Sequence, residues 1–350
     1  MTAGAVRTGV PLAPLTTLRL GGPAARMTDL ACEADVVDAV RDVEARGQVL
    51  FVLGGGSNVV VGDEGVSGLV ARMAMRGIEV TREAGRAVVD VAAGEGWDAL
   101  VARAVGEGWS GLECLSGIPG LVGGTPIQNV GAYGQEVSET IVRVRAYDRV
   151  ARAFVDMGAR ACGFGYRASV FKRSERWIVT GVRFAFAEGR ESAPVRYAEL
   201  AKALGIREGE RAPMGVVRDT VLPLRRGKGM VLDAADPDSV SAGSFFVNPL
   251  VDGAKLAAVE ERAGERPPRF EAGEGKWKLA AGWLVERAGF VKGWGEGRVG
   301  VSRKHALALV NRGGATTAEL LSVARTIRDG VWARFDVELE PEPVFVGCAW

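Results

Sequence analysis

The sequence predicts an α+β protein of more than one domain, on three observations. Helix-length and strand-length apolar runs are interspersed without the strict alternation that builds one large parallel sheet. The chain has 350 residues, and at ~150 residues per domain it divides into two or three. Hydrophobic residues make up 47% and charged residues 25%, the balance of a globular rather than a disordered chain.

The elements follow in order. Residues 34–45 read as a helix, with Val36, Val37, Val40 and Val43 on one face and Gly47 as its stop. Residues 49–53 read as a buried strand running into Gly54-Gly55-Gly56-Ser57-Asn58, and the β-branched run Val59-Val60-Val61 continues as strand. Residues 78–82 and 87–92 alternate apolar with polar around Glu83-Ala84-Gly85, the pattern of a hairpin. A helix over 98–105 is expected to close at Gly106, followed by the densest glycine segment of the chain, 117–134. Strands are expected at 141–147, 153–156, 178–186, 306–310 and 344–346. Helices are expected at 197–204, 214–224, 254–262, 279–287 and 317–335. Charge and glycine interrupt the apolar pattern near Arg76 and at Arg225-Arg226-Gly227-Lys228-Gly229, which marks both as boundaries.

Composition excludes several functions. Lys and Arg total 44 against 43 Asp and Glu, for a net charge of +1, so the basic excess of a nucleic-acid binder is missing. No apolar run approaches the ~18 residues of a membrane span, and the N-terminal 20 residues lack a signal-peptide core; a cytoplasmic protein is expected. His305 is the only histidine, which rules out a multi-histidine metal centre; no metal is expected, and a local structural role suits that residue best. Cys32, Cys114, Cys162 and Cys348 lie far apart without a C-x-x-C pair and read as reduced thiols.

Glycine is abundant, 49 of 350 residues, and its clustering carries the functional signal. Gly54–Gly56 fails as a dinucleotide fingerprint, because Val59 stands at the third glycine position and a strand rather than a helix follows. No Gly-Lys-Ser/Thr of a P-loop occurs. What remains is a strand–glycine loop–strand able to present backbone N–H groups to an anion, with Ser57 and Asn58 adding side-chain donors; a plain tight turn explains this segment equally well. The second segment, Ser116-Gly117-Ile118-Pro119-Gly120-Leu121-Val122-Gly123-Gly124-Thr125-Pro126 and then Gln128-Asn129-Val130-Gly131-Ala132-Tyr133-Gly134, shifts that balance. Two glycine loops, one stiffened by prolines, suit a long molecule with a pyrophosphate and a flat ring.

These segments, with Thr16-Thr17-Leu18-Arg19-Leu20-Gly21-Gly22, the run from Phe164-Gly165-Tyr166-Arg167 to Lys172, Ala242-Gly243-Ser244-Phe245-Phe246-Val247-Asn248-Pro249, residues 278–284 and Leu339-Glu340-Pro341-Glu342, resemble in order the UDP-N-acetylenolpyruvoylglucosamine reductase family, in the subgroup with a tyrosine-bearing loop. The resemblance spans residues 16–347. It implies three α+β domains: 1–75, possibly joined by 343–350, and 76–224 as a PCMH/VAO-type FAD-binding module, with 225–342 binding substrate. It implies non-covalent FAD, NADPH as hydride donor, a UDP-sugar substrate made into UDP-N-acetylmuramate for peptidoglycan, no nucleic acid, no membrane insertion and no obligate protein partner. Arg167 then matches the catalytic arginine, Ser244 the proton donor and Glu342 the glutamate that supports the enol-like intermediate. Cofactor contacts are implied for Arg19, Gly54, Gly55, Gly56, Ser57, Asn58, Ser116, Gly117, Ile118, Pro119, Gly120, Gly123, Gly124, Gln128, Asn129, Gly131, Ala132 and Tyr133. Substrate contacts are implied for Tyr166, Tyr197, Arg218, Lys228, Asn248 and Lys304. Pro343-Val344 stands where better-known members carry Val and then Arg, and proline removes one backbone donor there.

Two other classes compete. A flavin oxidase of the same fold shares the cofactor loops, although the covalent version needs a histidine that no position before 305 provides. A sugar-nucleotide sensor would have no use for Ser244 as an acid.

Overall fold

The computed structural model describes residues 5–350. The chain forms two compact units. One comprises residues 5–10, Ala24–Gly55 and Ser67–Arg226; the other comprises Pro11–Pro23, Gly56–Val66 and Gly227–Trp350. Both are mixed helix and sheet, so the α+β expectation holds.

In the first unit a four-stranded sheet runs in the order Arg7–Pro11, Pro23–Leu30, Val66–Met73, Leu50–Leu53, the last two parallel. Helix α1, Glu33–Arg46, buries Val36, Ala39, Val40 and Val43 and ends at Gly47, whose left-handed φ of 61° is the turn that glycine permits. Asp35 starts it, its carboxylate accepting the backbone N–H groups of Ala31 and Cys32 at 2.8 and 3.0 Å. Strands Pro23–Leu30 and Val66–Met73 had no expectation attached. Their interiors are not cleanly alternating, because Val66–Met73 is buried on both faces.

Arg76 separates this sheet from a second, antiparallel one in the order Ala153–Gly158, Ile141–Asp148, Trp177–Glu188, Arg86–Ala92, Ile78–Glu83, with Trp109–Ser110 pairing to Trp177–Glu188. The hairpin turns at Ala84 and Gly85 as expected, both at positive φ. Helix α2, Trp97–Glu107, packs Trp97, Leu100, Val101 and Ala104 into the core of this sheet with Phe184 and Phe186. Its stop is Gly108, not Gly106. Gly108 takes the left-handed cap, whereas Gly106 continues the helix. Helices α3, Ala198–Leu204, and α4, Met214–Gly227, complete the unit. The α4 helix runs beyond residue 224 into the basic stretch, and the unit ends at Arg226.

Asp148 closes the turn between two strands of this sheet. It accepts Arg176 Nε and Nη2 at 2.9 and 2.6 Å and the N–H groups of Val150 and Ala151. The Arg176 hydrogen bonds, against the opposing effect of burial, hold its carboxyl down at about 2. A lowered carboxyl stabilises the fold above its unfolded value near 3.8, and this contribution is lost as pH falls toward 2. Asp148→Asn is therefore expected to flatten the acid limb of a thermal-unfolding series between about pH 4 and pH 2. An unchanged slope would show that the turn adds nothing.

In the second unit, strands Ser241–Ser244, Ala308–Asn311 and Val299–Val301 form one antiparallel sheet, and Leu250–Asp252, Lys276–Leu279 and Arg269–Glu271 another. Helices α5 (Gly253–Ala263), α6 (Ala281–Arg287) and α7 (Thr317–Phe335) pack against them around Leu256, Leu284, Ile327 and Phe335. Leu279 ends a strand instead of opening α6, because Lys-Trp-Lys-Leu alternates and pairs on both sides. Likewise the expected strand at 306–310 begins only at Ala308, since residues 302–307 are bound up in a turn around Ser302. The C-terminal strand Val344–Val346 pairs in parallel with Val59–Val61. Among the described residues no helix is long and apolar enough to cross a membrane.

Candidate active site

Candidate site residues occur in both units. In the first, the two glycine loops press backbone to backbone. A Cβ on Gly55 would lie 2.6 Å from Gly120 Cα, so only glycine allows the approach. Gly54 and Gly124 are different. Both are exposed, with nothing within 4 Å of where a Cβ would stand. At both positions the backbone is open to approach, with no side chain in the way. Gly123 instead faces inward, 2.5 Å from Ala93 Cβ, and its glycine serves packing.

The loop that follows α2 is held from below. Ser116 is fully buried and donates Oγ to Glu113 O at 2.7 Å. The Glu113 carboxylate, also buried, accepts Gly111 N–H and Ala193 N–H at 2.7 and 2.6 Å. Gly117 N–H donates to Asp98 Oδ1 at 2.6 Å, and Arg218 grips the same carboxylate with both terminal nitrogens at 2.7 and 2.9 Å. Burial pushes the Asp98 carboxyl up, but Arg218 and Gly117 outweigh it and leave it below its ordinary value, ionised. Arg218 is thus spent on Asp98 rather than presented to a substrate. Ile118 and Pro119 stay half-buried between these anchors. Sequence reasoning missed Asp98 and Glu113 as anchors. Asp98 at the first turn of α2 reads like an ordinary helix-start acid, and its reach to Gly117 and Arg218 exists only in the fold.

Farther along, Gln128 is half-buried, while Asn129 is 1% exposed, so its amide faces the protein and not a ligand. Gly131–Ala132 pairs with Gln135–Glu136 across a turn at Tyr133 and Gly134, both at positive φ. Buried Tyr133 meets exposed Tyr197 edge-to-face at 5.5 Å, which seats the tyrosine at the start of α3. Arg167 sits at the tip of a tight turn closed by Gly165 and Ala168, at φ 51°, with Tyr166 beneath its guanidinium at 5.5 Å. Cys114 and Cys162 lie in this unit too. Burial lifts their thiols to about 12 and about 11, so neither is a thiolate nucleophile.

In the second unit, Gly56 at φ 64° lies so close to Leu15 O that a Cβ has no room. Ser57 is half-buried and Arg19 exposed, its backbone at φ 52°. Ser244 ends its strand opposite Ala308, after the positive-φ Gly243, and is followed by the fully buried Phe245 and Phe246. Backbone pairing then ties this segment to the other acid-bearing one. Glu342 N–H donates to Phe245 O at 2.8 Å, Val247 N–H to Glu340 O at 3.0 Å, and Phe246 bridges Pro341. The pairing sets Glu342 against Phe245, the residue after Ser244, across 97 positions of chain.

Pro343 costs no pairing. The N–H groups used on either side of it belong to Glu342 and Val344, and Val344 N–H donates to Asn58 O at 3.0 Å while Asn58 Nδ2 reaches Glu342 O at 3.4 Å. Asn58, expected at the cofactor, thereby also borders the segment that carries Glu342. Asn248 Oδ1 accepts Ala281 N–H at 2.9 Å and starts α6. Lys304 Nζ donates to Asp236 at 2.8 Å, and His305 Nδ1 accepts Leu307 N–H, the local structural role expected of it. Lys228 is half-buried just beyond α4.

Comparison with known proteins places these parts in context. Residues 236–346 match the C-terminal domain of UDP-N-acetylenolpyruvoylglucosamine reductase, and residues 27–152 match an FAD binding domain. The chain is 51% identical to the UDP-N-acetylenolpyruvoylglucosamine reductase of Thermobifida fusca, covering 97% of both chains. It is 53% identical to that of Saccharopolyspora erythraea, covering 97% of this chain and 96% of the relative. The crystal structure of UDP-N-acetylenolpyruvylglucosamine reductase from Thermus caldophilus superposes with a TM-score of 0.66 at 26% identity, covering 98% of each chain.

Proposed function

The chain belongs to the UDP-N-acetylenolpyruvoylglucosamine reductase family, and from that premise we propose that it reduces the enolpyruvyl group of UDP-N-acetylglucosamine enolpyruvate to UDP-N-acetylmuramate, with FAD as cofactor and NADPH as reductant, in cytoplasmic peptidoglycan precursor synthesis. The observation that carries the reading is the half-identity to such reductases over nearly the full chain. Residues 1–75 and 76–224 are assigned to the cofactor module and 225–342 to substrate binding.

The exposed glycine backbone at Gly54 and Gly124 would hold FAD, which when bound supplies the relay that takes hydride from NADPH and gives it to the terminal alkene carbon. The protein's own task is charge and protons. Hydride addition builds negative charge on the neighbouring carbon and on the carboxylate conjugated to it. Arg167, always charged and planar, holds that carboxylate through two nitrogens. The Ser244 hydroxyl delivers one proton to the neighbouring carbon, which completes the reduction: one C=C bond is lost and two C–H bonds form. Glu342 supports the enol-like charge distribution from the segment whose backbone bonds to Phe245, the residue after Ser244.

Purified full-length protein is expected to be yellow and to oxidise NADPH rapidly only when UDP-N-acetylglucosamine enolpyruvate is added, with UDP-N-acetylmuramate as product. A colourless protein that takes up no FAD overturns the reading. The anchor beneath the glycine loop gives a second expectation. Asp98→Ala leaves Gly117 N–H without its charged acceptor and is expected to weaken FAD binding about tenfold, the worth of one charge-assisted hydrogen bond. The KM for the sugar nucleotide should hold. Flavin-fluorescence titration measures the first and steady-state kinetics the second.

A further inference from the structure

We propose that Asn129 and Glu136 are positioning residues for Arg167 rather than cofactor ligands; the proposal rests on the catalytic reading above. Asn129 is 1% exposed and its amide is committed on both sides. Nδ2 donates to Glu136 Oε2 at 2.7 Å and to Gly165 O at 3.1 Å, and Oδ1 accepts Ser138 N–H at 3.1 Å. One side chain therefore joins three segments: its own loop, the Glu136–Ser138 turn, and the start of the turn that bears Arg167.

The same loop receives the guanidinium. Arg167 Nη2 donates to Gly131 O at 2.9 Å and Nη1 to Asn129 O at 3.4 Å. Two carbonyls two residues apart fix the plane of a group that has five donors and a long, rotamer-rich stem. Glycine at 131 is part of the arrangement, since a Cβ there would stand 3.2 Å from Arg167 Nη1. From the other side, Ser169 Oγ donates to Ile127 O at 2.6 Å and Lys172 Nζ to Arg167 O at 2.7 Å. Asn129 itself is at φ 46°, a left-handed backbone that asparagine tolerates better than most residues. Removing its amide unties Gly165 from Glu136 and lets both the turn and the two carbonyls shift under Arg167. A misplacement of about 1 Å at a reacting group costs up to about 100-fold in rate.

The test is a double-mutant cycle on full-length, FAD-loaded protein, read as two half-reactions by stopped-flow absorbance. Asn129→Ala is expected to slow flavin reoxidation by UDP-N-acetylglucosamine enolpyruvate about 10- to 100-fold, with flavin reduction by NADPH and FAD affinity unchanged. In an Arg167→Ala background the same substitution should add less than about twofold, because its effect passes through the missing guanidinium. Glu136→Ala should repeat the pattern more weakly, and Glu136→Gln, which keeps an acceptor for Asn129 Nδ2, should recover most of that loss. Glu136→Ala and its rescue stand in if Asn129→Ala does not fold. Additive effects in the cycle, or a loss of FAD affinity or of the NADPH half-reaction, overturn the positioning role. If the wild-type protein ignores the enolpyruvyl substrate, it is the proposed function that fails, not this inference alone.

Discussion

Ser244→Ala is expected to lower kcat about 1000-fold, within the 10²–10⁴ range of general acid catalysis. The reason is specific. An aliphatic hydroxyl is a weak acid, so it is useful only when held within reach of a strongly basic carbon. Its place at a strand end, between the positive-φ Gly243 and the buried Phe245–Phe246 pair, restricts its motion. NADPH should still bleach the flavin at the wild-type rate, since that half-reaction needs no proton from Ser244. Only reoxidation by substrate should slow. Ser244→Cys keeps a donor of similar size and should regain part of the loss. If Ser244→Ala turns over like wild type, the proton comes from elsewhere.

Arg167→Lys tests the second group. Lysine keeps the charge but not the fork, and a single ammonium cannot hold a carboxylate in two places or lie along two backbone carbonyls. We expect a 10²–10³-fold loss in the substrate half-reaction, about 2.7–4 kcal/mol, the worth of one preorganised donor aimed at developing charge. The KM for NADPH should not move. Arg167 is at φ 51°, so lysine inherits the same left-handed backbone and adds no new strain. Thermal stability equal to wild type would separate the catalytic loss from a folding defect. A drop confined to KM, with kcat intact, would make Arg167 a ground-state binder only.

Much of the local fold is written in residue order. Val36, Val40 and Val43 with Gly47 define α1, the alternation around Glu83-Ala84-Gly85 defines the hairpin, and Thr316 with Glu319 defines the start of α7. These features rest on neighbours within four or five residues, so periodicity and turn chemistry suffice. Where segments pair over long distances, the reading was poorer. Val66–Met73 lacks alternation because both of its faces are covered, and Leu279 reads as the beginning of α6 until the two partner strands of Lys276–Leu279 are known.

Among site residues, glycine clustering pointed to the loops, but chain order does not distinguish a glycine that opens space, Gly54 or Gly124, from one that closes a packing gap, Gly55 or Gly123. Nor does it show that Asn129 turns inward or that Arg218 belongs to Asp98. Residue type and spacing by themselves determined the fold class, the two loops, and a family resemblance that included an arginine, a serine and a glutamate. Only tertiary structure decided which of those side chains have their hydrogen-bonding capacity consumed inside the protein, because burial and long-range pairing set that, and a linear spacing carries no measure of either.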